Sequence, residues 1–217
     1  MCSKKQKKLE SQPHKHKMDS YRFLFFDLET TGISPERDKI IELAVYDLEK
    51  MSHFSALINP QRDIPEEATR IHHISNEMVQ DAPSFAEVGK GFVEFCQGNV
   101  ALIAHNGSNF DFPFLDRECT NANVKLPEKW LFIDSLLWAR KYRKDLPRHA
   151  LQYLREAFQI PPNQAHRALD DVMVLKEVFM RMVGDLSPEQ VIELIGYEKL
   201  SSQLTQTPAE EHLLLFS

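Results

Sequence analysis

The sequence predicts an α/β protein with a five-stranded mixed sheet flanked by helices. Three strand-like runs follow one another closely after residue 20, a helix and a strand come next, and the last third is patterned almost wholly as helix. Strands joined by short connections pair antiparallel, whereas a strand, helix and strand in succession make a parallel crossover. One sheet therefore holds both pairings, and the apolar helical stripes need its faces. At 217 residues, with 42% hydrophobic residues and 14 Phe, the chain is long enough for one domain with a substantial core.

Met1 to Ser20, with Lys4-Lys5-Gln6-Lys7-Lys8 and His14-Lys15-His16-Lys17, has almost no apolar residues and is expected to be a disordered basic tail. Phe23 to Phe26 is an apolar run of strand length that Thr30-Thr31-Gly32 stops. Lys39 to Leu48 reads as a second strand, and His53 to Ile58 as a third ending at Asn59-Pro60. Pro65 to Val79 reads as short helical pieces, with Pro65 at a helix start and Ser75 as an N-cap. Ser84 opens a better helix, striped by Phe85, Val88, Phe92, Val93 and Phe95. Val100 to Ala104 and Trp130 to Asp134 complete the strands. Helices are expected at about Ser135 to Tyr142, His149 to Phe158, Leu169 to Val183 and Pro188 to Tyr197. The expected division is a tail over 1–20, a domain over 21–198 and a polar C-terminal tail over 199–217, without internal repeats.

No apolar run approaches the roughly 20 residues of a membrane span, and the Lys-rich start lacks a signal peptide's apolar segment. Cys2, Cys96 and Cys119 are an odd, scattered set, which argues against a disulfide framework and a zinc site. A soluble protein of a reducing compartment, the cytoplasm, is expected. Residues 1–20 carry six lysines against Glu10 and Asp19, a surplus of four; with −6 overall, the remainder stands near −10. Such a body is not a general nucleic-acid binder. A polyanionic substrate needs metal ions and a local basic surface, and its binding weakens as salt rises.

Asp27 and Glu29 stand at i and i+2 at the end of the first strand, so both point the same way. Two neighbouring anions repel and lose solvation, and a cation relieves both costs. Oxygen ligands on a rigid strand suit Mg²⁺ or Mn²⁺, and hydrolysis at phosphorus is the chemistry that most often uses such ions in pairs. Taken alone, the pair also reads as a polar strand end facing water.

Pro113 is tolerated only in a first helical turn, so a helix begins near Asp111, beside the C-terminal end of a strand where ligand sites in α/β sheets gather. An isolated Asp there is also a plain N-cap. In His166-Arg167-Ala168-Leu169-Asp170-Asp171, Asp171 shares a helix face with Val174, Leu175, Val178 and Met182, whereas Asp170 lines up with Glu177 and Arg181 on the wet side. Asp171 is the acid held inward. His166 falls in the loop ahead of that helix, where a lone His is more often a surface residue; an imidazole there, titrating near neutral pH, also suits removal of a proton from an attacking water.

Asp27 with Glu29, Asp111 in a His-Asn-x-x-x-Phe-Asp context, and His166 followed at +5 by Asp171 resemble the three motifs of the DEDDh family of 3′–5′ exonucleases, over about residues 21–183. Within that family the pattern is nearest to the epsilon proofreading subunits of bacterial DNA polymerase III. Ile71-His72-His73-Ile74 resembles the family's Ile-His-Gly-Ile segment, with His73 in place of Gly. The resemblance implies an RNase H-like fold and two divalent ions. Asp27, Glu29 and Asp171 would hold one; Asp27 would bridge to the second, which Asp111 supports through water. It implies a pocket for the terminal nucleotide at Leu28, Thr30, His72, Asn106 and Phe110, and release of nucleoside 5′-monophosphates from single-stranded or frayed DNA ends in proofreading or repair. The alternative is an RNA 3′-end trimming or oligoribonuclease-like enzyme with the same four acids and histidine, which stays open because the sequence does not resolve how the sugar 2′ position is read. A non-catalytic binding module on the same fold is the third reading.

Two surface expectations remain. Lys141, Arg143, Lys144 and Arg148 are the densest basic cluster in the acidic body and are expected to face the approaching substrate, or else to be a solvated loop. His212-Leu213-Leu214-Leu215-Phe216 resembles the Gln-Leu-x-Leu-Phe peptide that enters the groove of bacterial sliding clamps, with His212 departing from Gln. Leu213, Leu215 and Phe216 are thus expected to bind the clamp beside the polymerase III catalytic subunit, or else to pack on their own domain or pair with a second copy.

Overall fold

The computed structural model describes residues 21–200; the basic segment before them and the Leu213–Phe216 peptide lie outside the described residues. Strand β1 (Arg22–Thr30) is followed by β2 (Ile40–Asp47) and β3 (Ser52–Leu57), then by helices α1 (Glu66–His72), α2 (Asn76–Val79) and α3 (Phe85–Phe95). After β4 (Val100–Ala104), a 3-10 turn (Gly107–Asn109) leads into α4 (Asp111–Asn121), β5 (Leu131–Asp134) and α5 (Ser135–Tyr142). Helices α6 (Leu151–Ala157), α7 (Ala168–Val183) and α8 (Pro188–Ile195) follow. The sheet order is β3-β2-β1-β4-β5. β1 to β3 pair antiparallel, and β4 and β5 join parallel to β1, as the connection lengths predict.

Alternation along β1 sorts its side chains onto two faces. Leu24, Phe26 and Leu28 join the core shared with α3 and α4, where Phe26 meets Phe92 at 5.5 Å between ring centroids. Phe23 and Phe25 join the core under α7, each edge-on to Phe179 at 5.8 and 5.7 Å. Burying each of these rings contributes roughly 1.5–3 kcal/mol. Asp27 and Glu29 continue the Phe23–Phe25 face, so the packing that seats α7 on the sheet also aims both acids at that helix. Glu42 lies directly across from Glu29 in the β1–β2 register and shares the face.

Three details depart from the sequence reading. Helix α6 begins at Leu151 rather than near His149, because the His149 carbonyl accepts a hydrogen bond from His105 and its ring is held by the Arg143 carbonyl. Helix α8 ends at Ile195; Gly196, at φ 79°, turns the chain so that Glu198 pairs with Phe132 of β5. Packing then continues to Leu200, which is buried in the core two residues beyond the expected boundary at 198.

Candidate active site

Strand β1 brings Asp27 and Glu29 to the end of the sheet, where the pairing with β2 shifts register between Glu29 and Thr30. Parallel to β1, β4 ends beside them, and its continuation must turn sharply to start α4. Asn106 takes a left-handed conformation (φ 68°), and Gly107 follows because a Cβ there would lie 2.6 Å from the Phe112 ring. Asp134, at the end of β5, fixes this turn by accepting the amides of Asn106 and Ser108 at 3.0 and 3.1 Å while capping α5 through the Leu136 amide at 2.8 Å. The result is Asp111 as the first residue of α4, buried beside β1.

From the other side, α7 presents Asp171, buried, while Asp170 is exposed. Asp171 is held on three sides. One oxygen accepts the side-chain amides of Gln152 and Asn163, both at 3.0 Å, and the other accepts the His166 amide at 2.7 Å. His166 stands exposed in a left-handed conformation (φ 62°) ahead of the helix. Ligand atoms of Glu29, His166 and Asp171 lie within 4.8 Å of one another. The next two residues are anchored to the sheet. Arg167 donates to Glu42 at 2.7 and 3.2 Å, and the Ala168 amide donates to the same buried carboxylate at 3.0 Å.

These acids sit uneasily together. Burial pushes the Asp27 carboxyl well above its ordinary range, with Asp111, Glu29, Asp171 and Glu42 adding repulsion in that order. Burial and then Asp171, Glu42 and Asp111 push Glu29 up to about 8, against a smaller pull from Arg167. Asp111 is pushed up to about 7, chiefly by burial. Asp171 is raised by burial, which outweighs its three hydrogen bonds. One oxygen of Asp111, Oδ1, is buried without any hydrogen-bond partner. Such an orphan costs free energy unless another group meets it, and an oxygen-only set of crowded acids is what a hard divalent cation fits.

All ten residues singled out from the sequence, Asp27, Leu28, Glu29, Thr30, His72, Asn106, Phe110, Asp111, His166 and Asp171, line one cleft of about 600 Å³. His72 is buried at the end of α1. Its Nδ1 accepts the Ile74 amide at 3.0 Å, which places the proton on Nε2, and Nε2 has no partner. Burial lowers its pKa, so the ring stays neutral and offers a single N–H donor. His73, where the family pattern has Gly, takes the left-handed conformation (φ 60°) of a helix cap, so the backbone course is the one a glycine adopts freely.

Sequence reasoning missed Gln152, Asn163, Glu42, Arg167 and Asp134. Glu42 carried a signal, a charge inside the apolar run Ile40 to Val45. The basic cluster is corrected in part. Arg143 is committed to Asp145 through two hydrogen bonds of 2.9 and 2.8 Å and lies over Phe158, and Lys141 donates to the Leu194 carbonyl. The Arg143 fork is thereby occupied, while Lys141 keeps two of its three donors.

A mixed sheet whose central strand ends in paired acids, facing a third acid on one helix and a fourth at the start of another, defines a nuclease-type hydrolase. A family model of exonucleases (RNase_T) matches residues 24–179, and the chain belongs to that family; the activity that membership carries is 3′–5′ exonucleolytic hydrolysis. It is 37% identical over 167 residues to the DNA polymerase III subunit epsilon of Treponema pallidum, covering 75% of this chain and 76% of that one. It is 35% identical over 176 residues to the chloroplastic/mitochondrial exonuclease DPD1 of Arabidopsis thaliana; that match takes 74% of this chain and 55% of DPD1, so the chain spans about half of that relative. Among solved structures, Exonuclease X in complex with 5′ overhanging duplex DNA superposes with a TM-score of 0.64 at 24% identity, over 80% of this chain and 99% of that one. Among the described residues, no helix is long and apolar enough to cross a membrane.

Proposed function

We propose that this exonuclease uses two divalent ions, Mg²⁺ or Mn²⁺, to remove nucleoside 5′-monophosphates from single-stranded or frayed DNA 3′ ends. Its place would be proofreading or repair in the cytoplasm, alongside a replicative polymerase. The observation that carries this reading is the convergence of Asp27, Glu29, Asp111 and Asp171 on one cleft, with raised pKa values and an orphaned Asp111 oxygen. Asp27, Glu29 and Asp171 would hold one ion, and Asp27 the other, with Asp111 supporting it through water. When bound, such ions make water a nucleophile at neutral pH and stabilise the leaving oxygen.

The chain's own residues supply the rest. His166, exposed beside Glu29 and Asp171, takes the proton of the attacking water at a ring nitrogen and returns it to solvent. Leu28 and Phe110 offer apolar surfaces to the terminal base, which such surfaces grip without regard to sequence. The neutral Nε2–H of His72, with Thr30 and Asn106, offers hydrogen bonds to its sugar and phosphate. Association with a polymerase accords with the epsilon subunit of Treponema pallidum; the clamp peptide proposed at Leu213, Leu215 and Phe216 stays a proposal about residues outside those described.

The test is digestion of 5′-labelled single-stranded DNA and RNA of one sequence, in EDTA, Mg²⁺ or Mn²⁺. A ladder shortening from the 3′ end of DNA, dependent on metal and yielding 5′-monophosphates, supports the reading. Faster digestion of RNA would overturn the substrate, and no digestion with either metal would favour a non-catalytic module.

A further inference from the structure

Residues 139–150 carry five cations, Arg140, Lys141, Arg143, Lys144 and Arg148, against one acid, Asp145. Asp145 is taken by Arg143. Among the described residues neither Arg140 nor Arg148 pairs with an acid; they instead line a second pocket, of about 480 Å³, together with Leu136, Pro147 and His149. Its inner wall is His105 and Asn106, which also line the catalytic cleft, so the two spaces meet across one turn.

That wall is built rather than loose. His105 donates through Nε2 to the His149 carbonyl at 2.8 Å, which leaves Nδ1 to accept the Ser135 hydroxyl at 2.9 Å. The His149 ring in turn is bonded to the Arg143 carbonyl at 2.9 Å. The loop carrying Arg148 is thereby tied to the ends of β4 and α5. A fixed wall bearing two uncompensated guanidinium groups matches phosphate oxygens, which arginine recognises in a planar, two-pronged manner. Leu136 and Pro147 add apolar surface for sugar or base.

We infer that the pocket of Arg140, Arg148 and His149 is a phosphate-binding subsite that holds the single strand upstream of the nucleotide being removed. The inference rests on the exonuclease reading. It gives the acidic body the local basic surface that a polyanionic substrate requires, beside the acids rather than over them.

The experiment compares wild type, Arg140→Gln/Arg148→Gln, and Arg143→Gln as a control that removes one charge from the same loop. Binding of a fluorescent oligothymidylate of about 12 nucleotides is followed in Ca²⁺ from 25 to 200 mM salt, and hydrolysis of the p-nitrophenyl ester of thymidine 5′-monophosphate, which reaches only the terminal site, is followed in Mn²⁺. Each lost single-strand phosphate contact lowers the salt slope by about 0.7, so the double variant should lose about 1.4 in slope and bind about tenfold more weakly at 200 mM salt, with a loss of about a hundredfold at 25 mM. Its ester hydrolysis should be unchanged, and Arg143→Gln should bind as wild type does. An unaltered slope in the double variant, or an equal loss per charge in Arg143→Gln, would overturn the subsite. Failure of the wild type to hydrolyse the ester would count against the exonuclease reading alone, because the binding measurement needs no chemistry.

Discussion

Glu29→Gln should stabilise the metal-free protein at pH 8 and leave it almost unchanged at pH 5. The folded-state value of Glu29, about 8, lies above its ordinary 4.5, so between those pH values the unfolded chain has released a proton that the folded chain keeps. Folding stability therefore falls as pH rises through that window and levels off above it. At about 1.4 kcal/mol for each pH unit the rise corresponds to about 5 kcal/mol. Glu29 is only partly buried and lies in an open cleft, where water screens the repulsion, so about 2 kcal/mol is the working figure. For a domain of this size that is about 4–8 °C in Tm. The assay is thermal unfolding followed by circular dichroism in EDTA at pH 5 and pH 8, repeated with Mg²⁺. The variant should melt higher than wild type at pH 8 only, and Mg²⁺ should raise the wild-type Tm more than the variant's. A variant that melts lower than wild type at pH 8, or by the same difference at both pH values, would refute the repelling acid cluster.

Asp171→Asn should abolish turnover, because it sets an amide against three donors and removes a proposed metal ligand, whereas Asp170→Asn should leave kcat within about twofold because Asp170 faces solvent; steady-state digestion of labelled DNA separates them. His166→Ala should lose about 10²–10⁴ in single-turnover rate while binding single-stranded DNA in Ca²⁺ as wild type does. Glu42→Gln should raise the Mg²⁺ concentration for half-maximal activity about fivefold, about 1 kcal/mol, read by metal titration; a lower Tm with an unmoved titration would make Glu42 a structural anchor only.

Much of this was legible because strand and helix periods are short-range. Alternation placed Asp27 beside Glu29, and the 3.6-residue period separated inward Asp171 from outward Asp170 without knowledge of their neighbours. Pro113 dated the start of α4 closely enough to put Asp111 at its first residue. The residues that steady those acids were illegible for a physical reason. Gln152 and Asn163 reach Asp171 from 19 and 8 positions away, and Arg167 meets Glu42 across 125, through loops whose course no periodicity fixes. For the same reason charge counting alone made Arg143 look available; only the structure shows its fork closed on Asp145.

The Glu42–Arg167 pair explains how the cluster stays fit for metal. Four acids in one cleft invite a neighbouring cation to neutralise them, and Arg167, adjacent to His166, is the cation that already pulls on Glu29. Were its guanidinium free, it could close on Glu29 and reduce the charge that draws a divalent ion. Glu42 prevents this by engaging two guanidinium nitrogens and the Ala168 amide at once, a two-pronged geometry that fixes orientation as well as distance. The same bonds fasten the residue after His166 to β2, so one buried carboxylate both withholds a competing cation and steadies the loop that carries the proposed proton acceptor. The crowding of Asp27, Glu29 and Asp111 without a neighbouring cation is therefore maintained by the fold, at a cost in metal-free stability, seen in their raised pKa values, that bound ions would remove.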